Sequence, residues 1–455
     1  MARSLLIAAV LMFKCAVSHA EPVSASGIVD SALSRPPVST TTTSVSGVQE
    51  SVLAEAPAKP VSRTGFKLIP LGNADLRGGW TSVNDGKGAL GLVGSAMILP
   101  AVKLPGNAGL ILPIYAFTGA LSDRVIEESI LFESRQTHLL SLGYKKAINT
   151  DWDVKASLDG DYALTQQTRD EKFGKGLYDY RDFGGRTAVV WGPKRNGKEE
   201  PVSLGFRMFS RKYPNYMSLA ASNQQFLSAI NPAAAAAVAD KEKHPKDYTG
   251  YELSASGERW LSEDLKGRLE YTLALQPYTD RYLRTDQGLL SAKKRSDTIN
   301  QFMGRIDWAG LETAVLWTSF ECLSFGSNGS NYDSTQAVYP YTANFFQFYD
   351  LNWRNGISLQ LPFGEELHPK LECGVGVGRR KYKSHAQDVA GQNLKADQAD
   401  NLLSANLMLN IPINKMFGVV SGVNRQMVSS NNLNEKYVRY NYNVTGISLG
   451  MTAKF

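Results

Sequence analysis

WDVKASLDGDYAL, residues 152–164, decides what kind of chain this is. Trp152, Val154, Ala156, Leu158, Tyr162 and Leu164 fall on one side of a two-residue repeat, and Asp153, Lys155, Ser157, Asp159 and Asp161 fall on the other. A helix brings residues three and four apart onto one face and would mix the two sets. A strand points successive side chains to opposite faces and keeps them apart.

The same alternation returns down the chain. Val202, Leu204, Phe206 and Met208 oppose Ser203, Gly205 and Arg207. Leu269, Tyr271, Leu273 and Leu275 oppose Arg268, Glu270 and Thr272, and Leu371, Cys373, Val375 and Val377 oppose Glu372, Gly374, Gly376 and Gly378. Leu403, Ala405, Leu407, Leu409 and Ile411 oppose Ser404, Asn406 and Asn410. The last residues, GISLGMTAKF, set Ile447, Leu449, Met451, Ala453 and Phe455 against Ser448, Gly450, Thr452 and Lys454.

The pattern predicts about sixteen strands. They lie near 74–82, 90–100, 109–118, 137–148, 151–164, 179–192, 202–211, 247–260, 265–276, 297–308, 311–324, 344–361, 370–382, 401–411, 416–428 and 437–455. Most run about ten to fourteen residues, longer than ordinary soluble strands and long enough for a tilted crossing of a bilayer. Their connections alternate in length. Asn149-Thr150, Ser262–Asp264, Ala309-Gly310 and Pro412–Lys415 are tight, whereas 119–136, 165–178, 212–246, 277–296, 325–343 and 383–400 are long and polar. If the first strand rises from the periplasm, every tight turn is periplasmic and every long loop faces outward, the asymmetry of transmembrane barrels. Lipid offers the backbone no hydrogen bonds, so strands can cross it only in a closed sheet.

On these segments, connections and the closing strand, the chain resembles porin-like bacterial outer-membrane β-barrels over about residues 66–455. The resemblance implies an all-β fold, a transmembrane antiparallel β-barrel of about sixteen strands with fourteen or eighteen as alternatives. It also implies outer-membrane lipids, small solutes and an assembly machinery as partners, with a homo-oligomer as a further possibility. The terminal Phe455 resembles the signal by which that machinery recognises its clients; otherwise it simply anchors the membrane interface. The resemblance rests on architecture, names no subfamily and carries over no functional residue.

The N-terminus reads differently. Arg3, the apolar run Leu5–Phe13 and the small residues at Ser18-His19-Ala20 form a secretory signal peptide, residues 1–20. Residues 21–65 contain the tract PPVSTTTTSVS and no aromatic before Phe66, so they cannot bury enough surface to offset ordering; they are expected to form a disordered periplasmic linker. The 66–455 remainder is the barrel. Mean hydropathy is -0.24, too polar for a helical membrane protein. The net charge of +6 comes without a basic run, which argues against nucleic acid as a partner. Cys322 and Cys373 are the only cysteines after Cys15; a disulfide between them is possible, but two cysteines are no framework.

Within the barrel, Trp152, Trp191, Trp260, Trp308 and Trp353 lie near strand ends and are read as an aromatic girdle. Parity assigns the lumen Lys145, Lys155, Arg186, Arg207, Arg268, Arg305, Arg354 and Arg380, and against them Asp153, Asp159, Asp161, Glu252, Glu258, Glu270, Asp307, Asp350 and Glu372. These are the pore-lining candidates; most single residues among them are expected to pair across strands and keep the wall stable, and the near balance argues against strong ion selectivity. Residues 88–122 are apolar on both faces, so either Val93 and Met97 or Ile111 and Tyr115 point inward. In the longest loop, 212–246, Asn231 as cap, Pro232 and Ala233–Ala239 suit a short helix that either constricts the pore or lies on the surface.

No catalytic constellation emerges. His138, His244, His368 and His385 are scattered over rims and turns, and nothing marks a partner for them. No cysteine–histidine spacing suggests zinc, no cofactor motif is present, and Asp123, Glu127 and Glu128 make an unconvincing calcium site. GVGVG, Gly374–Gly378, alternates on a strand, where it relieves crowding inside the barrel. The expected function is a passive or gated channel for small polar solutes, not an enzyme. Two rivals remain: a transporter of hydrophobic compounds, motivated by the apolar strands, and a non-conducting barrel for export, assembly or adhesion, motivated by the linker and loops.

Overall fold

A computed structural model describes residues 67–454 apart from 70, 85–87, 106–107, 127–128, 167–170, 196, 217–242, 334, 364–367 and 435–439. The signal peptide, the 21–65 linker, the helix expected at 231–239 and Phe455 lie outside the described residues, as do the side chains of Asp123, Glu127 and Glu128.

Sixteen long strands form the wall. They are β1 (Gly72–Val83), β2 (Gly88–Ile98), β3 (Leu110–Ile126), β4 (Ser129–Ala147), β5 (Trp152–Gln166), β6 (Tyr180–Trp191), β7 (Val202–Lys212) and β8 (Tyr248–Trp260). The second half comprises β9 (Leu265–Arg284), β10 (Leu290–Leu311), β11 (Ala314–Ser327), β12 (Phe348–Gln360), β13 (Lys370–Gln387), β14 (Asn393–Pro412), β15 (Phe417–Ser430) and β16 (Tyr442–Lys454). Each pairs antiparallel with the next, and β16 returns to β1 in the register Asn73↔Lys454 through Val83↔Val444. Closure leaves no sheet edge, and every strand residue within the wall can satisfy its backbone. All sixteen expected strands are present, and the count settles among the alternatives.

The two faces differ as the alternation requires. Leu140, Leu142, Leu158, Leu204, Phe206, Leu253, Leu269, Leu351, Val375, Val377, Leu403, Leu449 and Met451 are all large, apolar and exposed, and they share the outer parity on their strands. A continuous exposed apolar surface of this extent on a closed sheet is a lipid-facing belt. On β5 it runs from Trp152 to Tyr162, roughly 33 Å along the strand, or ~25 Å of height at barrel tilt.

Three expectations change. First, much of the expected outer loops is strand. β3 and β4 continue to Ile126 and from Ser129, β9 and β10 to Arg284 and from Leu290, and β13 and β14 to Gln387 and from Asn393. Above the lipid both faces meet water, so apolar–polar alternation disappears although backbone pairing continues; register shifts after Pro277 and Lys381 blur it further. Second, Trp260 leaves the girdle. It shares the inward parity of Glu258, and Lys198 Nζ lies 3.9 Å above its ring. Trp152, Trp191, Trp308 and Trp353 do face outward. Third, Cys322 and Cys373 are free and face outward from β11 and β13, which β12 separates.

The apolar stretch resolves clearly. Ile111 and Tyr115 face lipid, while Val93 and Met97 face inward, as do Leu112 and Ile114. Below β1 and β2 the chain continues as the paired segments Lys67–Ile69 and Ala101–Lys103. Leu99 and Ala101 join Leu112 and Ile114 in a small buried core, packed by Ile69, Leu71, Met97 and Leu110. The inward apolar residues at the short-turn end thus pack on one another rather than line open space.

On β13, Gly374, Gly376 and Gly378 face inward. A Cβ there would meet Asn406 Oδ1 at 2.6 Å, Ser404 Oγ at 2.8 Å and the Asn352 carboxamide respectively, which is the crowding that the GVGVG run avoids.

Candidate functional site: the inner wall

All fourteen of Lys145, Asp153, Lys155, Asp159, Arg186, Arg207, Arg268, Glu270, Arg305, Asp307, Asp350, Arg354, Glu372 and Arg380 stand on the inward parity, opposite the lipid-facing set of their strands. The structure brings most of them into pairs. Lys145 meets Asp153 at 2.9 Å, Arg207 meets Glu252 at 3.4 Å, Arg305 meets Asp307 at 2.6 Å and Lys370 meets Glu372 at 2.7 Å. Arg268 bridges Glu258 and Glu270, and Arg380 binds Asp350 through two nitrogens. Asp159 is buried and accepts from Ser141 Oγ at 2.6 Å. Arg186 and Arg354 are exposed and make no ion pair among the described residues. Among these fourteen, then, the exposed charges without an ion pair among the described residues are both arginines.

A second layer was not anticipated. At the long-loop end an inward belt of rings and arginines crosses seven strands. Phe209 of β7 packs edge-on against Tyr248 of β8, whose ring lies 5.5 Å from Tyr278 of β9. Arg295 of β10 sits 4.9 Å from Tyr278; Phe325 of β11 stacks on Phe348 of β12 at 5.1 Å, and Phe348 meets Tyr382 of β13 at 5.8 Å. Arginines cap this belt: Arg211 lies 4.1 Å from Tyr180, Arg207 lies 4.2 Å from Phe209, and Arg380 lies 4.6 Å from Phe348. Such stacking holds a long side chain in place at little entropic cost. Arg211 is paired to Asp182 through Nε at 2.7 Å, and Arg295 to the fully buried Asp297 through Nε at 2.8 Å, with Ser327 Oγ donating to Asp297 at 2.6 Å.

Two signals could have found this layer. One is an aromatic at a position whose parity is polar, as at Phe209. The other is an opposite-charge pair two residues apart, which a strand places on one face: Asp75/Arg77, Arg295/Asp297 and Arg305/Asp307. Arg281 and Arg295 escaped because their stretch had no apolar face and read as loop.

The long loops carry few perturbed groups. Burial raises the Asp333 carboxyl, but bonds from Thr335 N, Thr335 Oγ1 and Gln336 Nε2 outweigh it and hold the group below the ordinary aspartate value. Burial pushes the Tyr213 phenol up, with the nearby Arg211 charge opposing.

The histidines form no reactive arrangement among the described residues. His138 faces outward; its Nδ1 meets Tyr115 Oη at 3.0 Å, and its ring stacks on Tyr162 at 4.5 Å. That is a belt of interfacial rings. His385 lies 5.2 Å from Tyr339, and its Nδ1 is buried without a hydrogen bond. No group of three or more His, Cys, Asp or Glu side chains gathers as metal ligands among the described residues.

The geometry defines the class: a closed sixteen-stranded transmembrane β-barrel of porin-like architecture. No family model matches the sequence, and no curated relative matches it. Many solved structures match this chain at low identity. Salmonella typhi OmpF in complex with daunomycin is similar at 13% identity and a TM-score of 0.43, over 87% of this chain and 99% of that one. Pseudomonas aeruginosa OccD3 (OpdP) is similar at 9% identity and 0.42, over 88% and 95%, and a bacterial polysaccharide outer membrane secretin at 12% and 0.41, over 85% and 98%. At these scores they add nothing to what strand register already establishes.

Proposed function

We propose that the chain is a channel in the bacterial outer membrane through which small polar solutes diffuse. The observation that carries this reading is the inner wall: a barrel of sixteen strands is wide enough for water, and exposed guanidiniums at Arg186 and Arg354 stand on its inner face without carboxylate partners among the described residues. Burying an unpaired guanidinium in a dry interior is costly, so these groups require solvent. Small solutes and lipid are then its partners. Reconstitution into planar bilayers tests the proposal. Discrete conductance in KCl is expected, and complete absence of conductance from folded protein would defeat it.

The apolar stretch gives transport of hydrophobic compounds little support, since Leu112 and Ile114 are buried in a packed core. With the short-turn end read as periplasmic, we further propose that Phe455 is recognised by the assembly machinery. Deletion of Phe455 is expected to lower the amount of folded protein in outer-membrane fractions severalfold; unchanged levels would leave it an anchoring role.

A further inference from the structure

At the long-loop mouth, β9, β10 and the connection 328–347, with Tyr216 and Pro245, line a partly open cavity of about 170 Å³. Arg281, Arg295 and Phe346 line it, with Leu283, Pro245 and Asn331 around them. The guanidinium carbons of Arg295 and Arg281 lie 3.9 and 4.9 Å from the Phe346 ring centroid, so two like charges share one ring. Their situations differ. Arg295 is neutralised by a bidentate bond to Asp297. Arg281 is half-buried and touches the Tyr278 and Phe346 rings, and it makes no ion pair among the described residues.

A half-buried guanidinium beside a second cation, whose nearby carboxylate Asp297 is already engaged by Arg295 and which makes no ion pair of its own among the described residues, is an incomplete arrangement. A single negative charge completes it, and a carboxylate is the anion whose two oxygens match the fork of a guanidinium. The cavity also restricts what carries that carboxylate. Phe346, Leu283 and Pro245 offer apolar surface, and the volume admits a body of a few heavy atoms. We propose that this cavity binds a small carboxylate on a compact apolar or aromatic body, with Arg281 as its anion ligand and Phe346 as its apolar wall. The site deepens the channel reading by naming a class of solute captured at the mouth, and it rests on that reading only for the solute's onward passage.

Equilibrium dialysis of the full chain in detergent tests the site, with benzoate as probe and the uncharged isostere benzamide as control. Benzoate is expected to bind at one site at least about tenfold more tightly than benzamide, which corresponds to about 1.4 kcal/mol. Arg281→Gln, shown to be folded by its resistance to SDS before boiling, should weaken benzoate by a similar factor, and Arg281→Lys should keep part of the affinity. Equal binding of benzamide and benzoate by the wild type overturns the proposal even if no variant folds, and so does undiminished benzoate binding by folded Arg281→Gln. Uptake of a neutral sugar by wild-type proteoliposomes reports separately. Failure there defeats the channel and leaves the site, whereas failure of benzoate defeats the site and leaves the channel.

Discussion

Barrel closure depends on a residue with no side chain. Gly450 of β16 faces inward opposite Arg77 of β1, at the seam where the last strand meets the first. A Cβ at Gly450 would press on the Leu76 carbonyl oxygen and stand 2.6 Å from Arg77 Cγ and 2.8 Å from Arg77 Cα. Arg77 Cγ can swing away; the Leu76 carbonyl and Arg77 Cα are backbone held by the seam's own ladder and cannot. Gly450→Ala must therefore push β1 and β16 apart locally. Overpacking against fixed atoms costs about 1–3 kcal/mol, and with two backbone contacts the upper half of that range, ~2–3 kcal/mol, applies. Gly78 of β1 is the control. It faces lipid, pairs with Leu449 on the same seam, and has nothing within 4 Å of its would-be Cβ. Gly78→Ala is expected to stay within about 0.5 kcal/mol of wild type. Urea unfolding in lipid vesicles, followed by tryptophan fluorescence, reads both. An unchanged midpoint for Gly450→Ala, or equal losses for the two variants, would refute the steric account of the seam.

Other outcomes follow from the inner wall and the loops. Asp297→Ala leaves Arg295 buried without its partner and should destabilise the barrel by about 3–5 kcal/mol in the same unfolding assay, with partial recovery when Arg295→Met is added. Replacing both Arg186 and Arg354 by Gln removes two exposed lumen cations that have no ion pair among the described residues, so the reversal potential in a KCl gradient should move toward cation preference; an unmoved potential would mean that neither charge faces the ion path. The Asp333 carboxyl lies below its ordinary 3.8, so its contribution to loop 328–347 is fully present above that value and is lost as the pH falls through the lower folded value. The protection of the Thr335 amide, its exchange rate taken relative to the intrinsic rate at each pH, should fall only below about pH 4, and a fall already at pH 6 would contradict this assignment.

The wall was legible because one physical demand acts on every residue that crosses lipid. Each strand had to present Leu, Val, Phe or Trp at alternate positions, and Trp152–Leu164 shows the demand at its cleanest. Where the demand ended, so did the reading. Beyond Pro277 both faces of β9 are wet, so the strand that carries Arg281 looked like a loop, and the cavity it lines with Arg295 and Phe346 was invisible. Trp260 misled for the opposite reason: an aromatic at a strand end fits a girdle from either face, and only the parity shared with Glu258 turns it inward.

By itself the sequence determined the barrel class, most of the lipid-facing set, the inward charges and the asymmetry of the connections, since these are properties of single strands against their solvent, and closure of the sheet fixed the count at sixteen among the alternatives. Only the tertiary structure decided which of the inward charges cancel. Arg207 finds Glu252 and Arg380 finds Asp350 across neighbouring strands, while Arg186, Arg354 and Arg281 find no carboxylate among the described residues. Alternation along one strand reports a side chain's face; it does not report its neighbour, which is set by register between strands whose partners lie 45 residues apart in the chain at Arg207 and Glu252 and meet only when the sheet has formed.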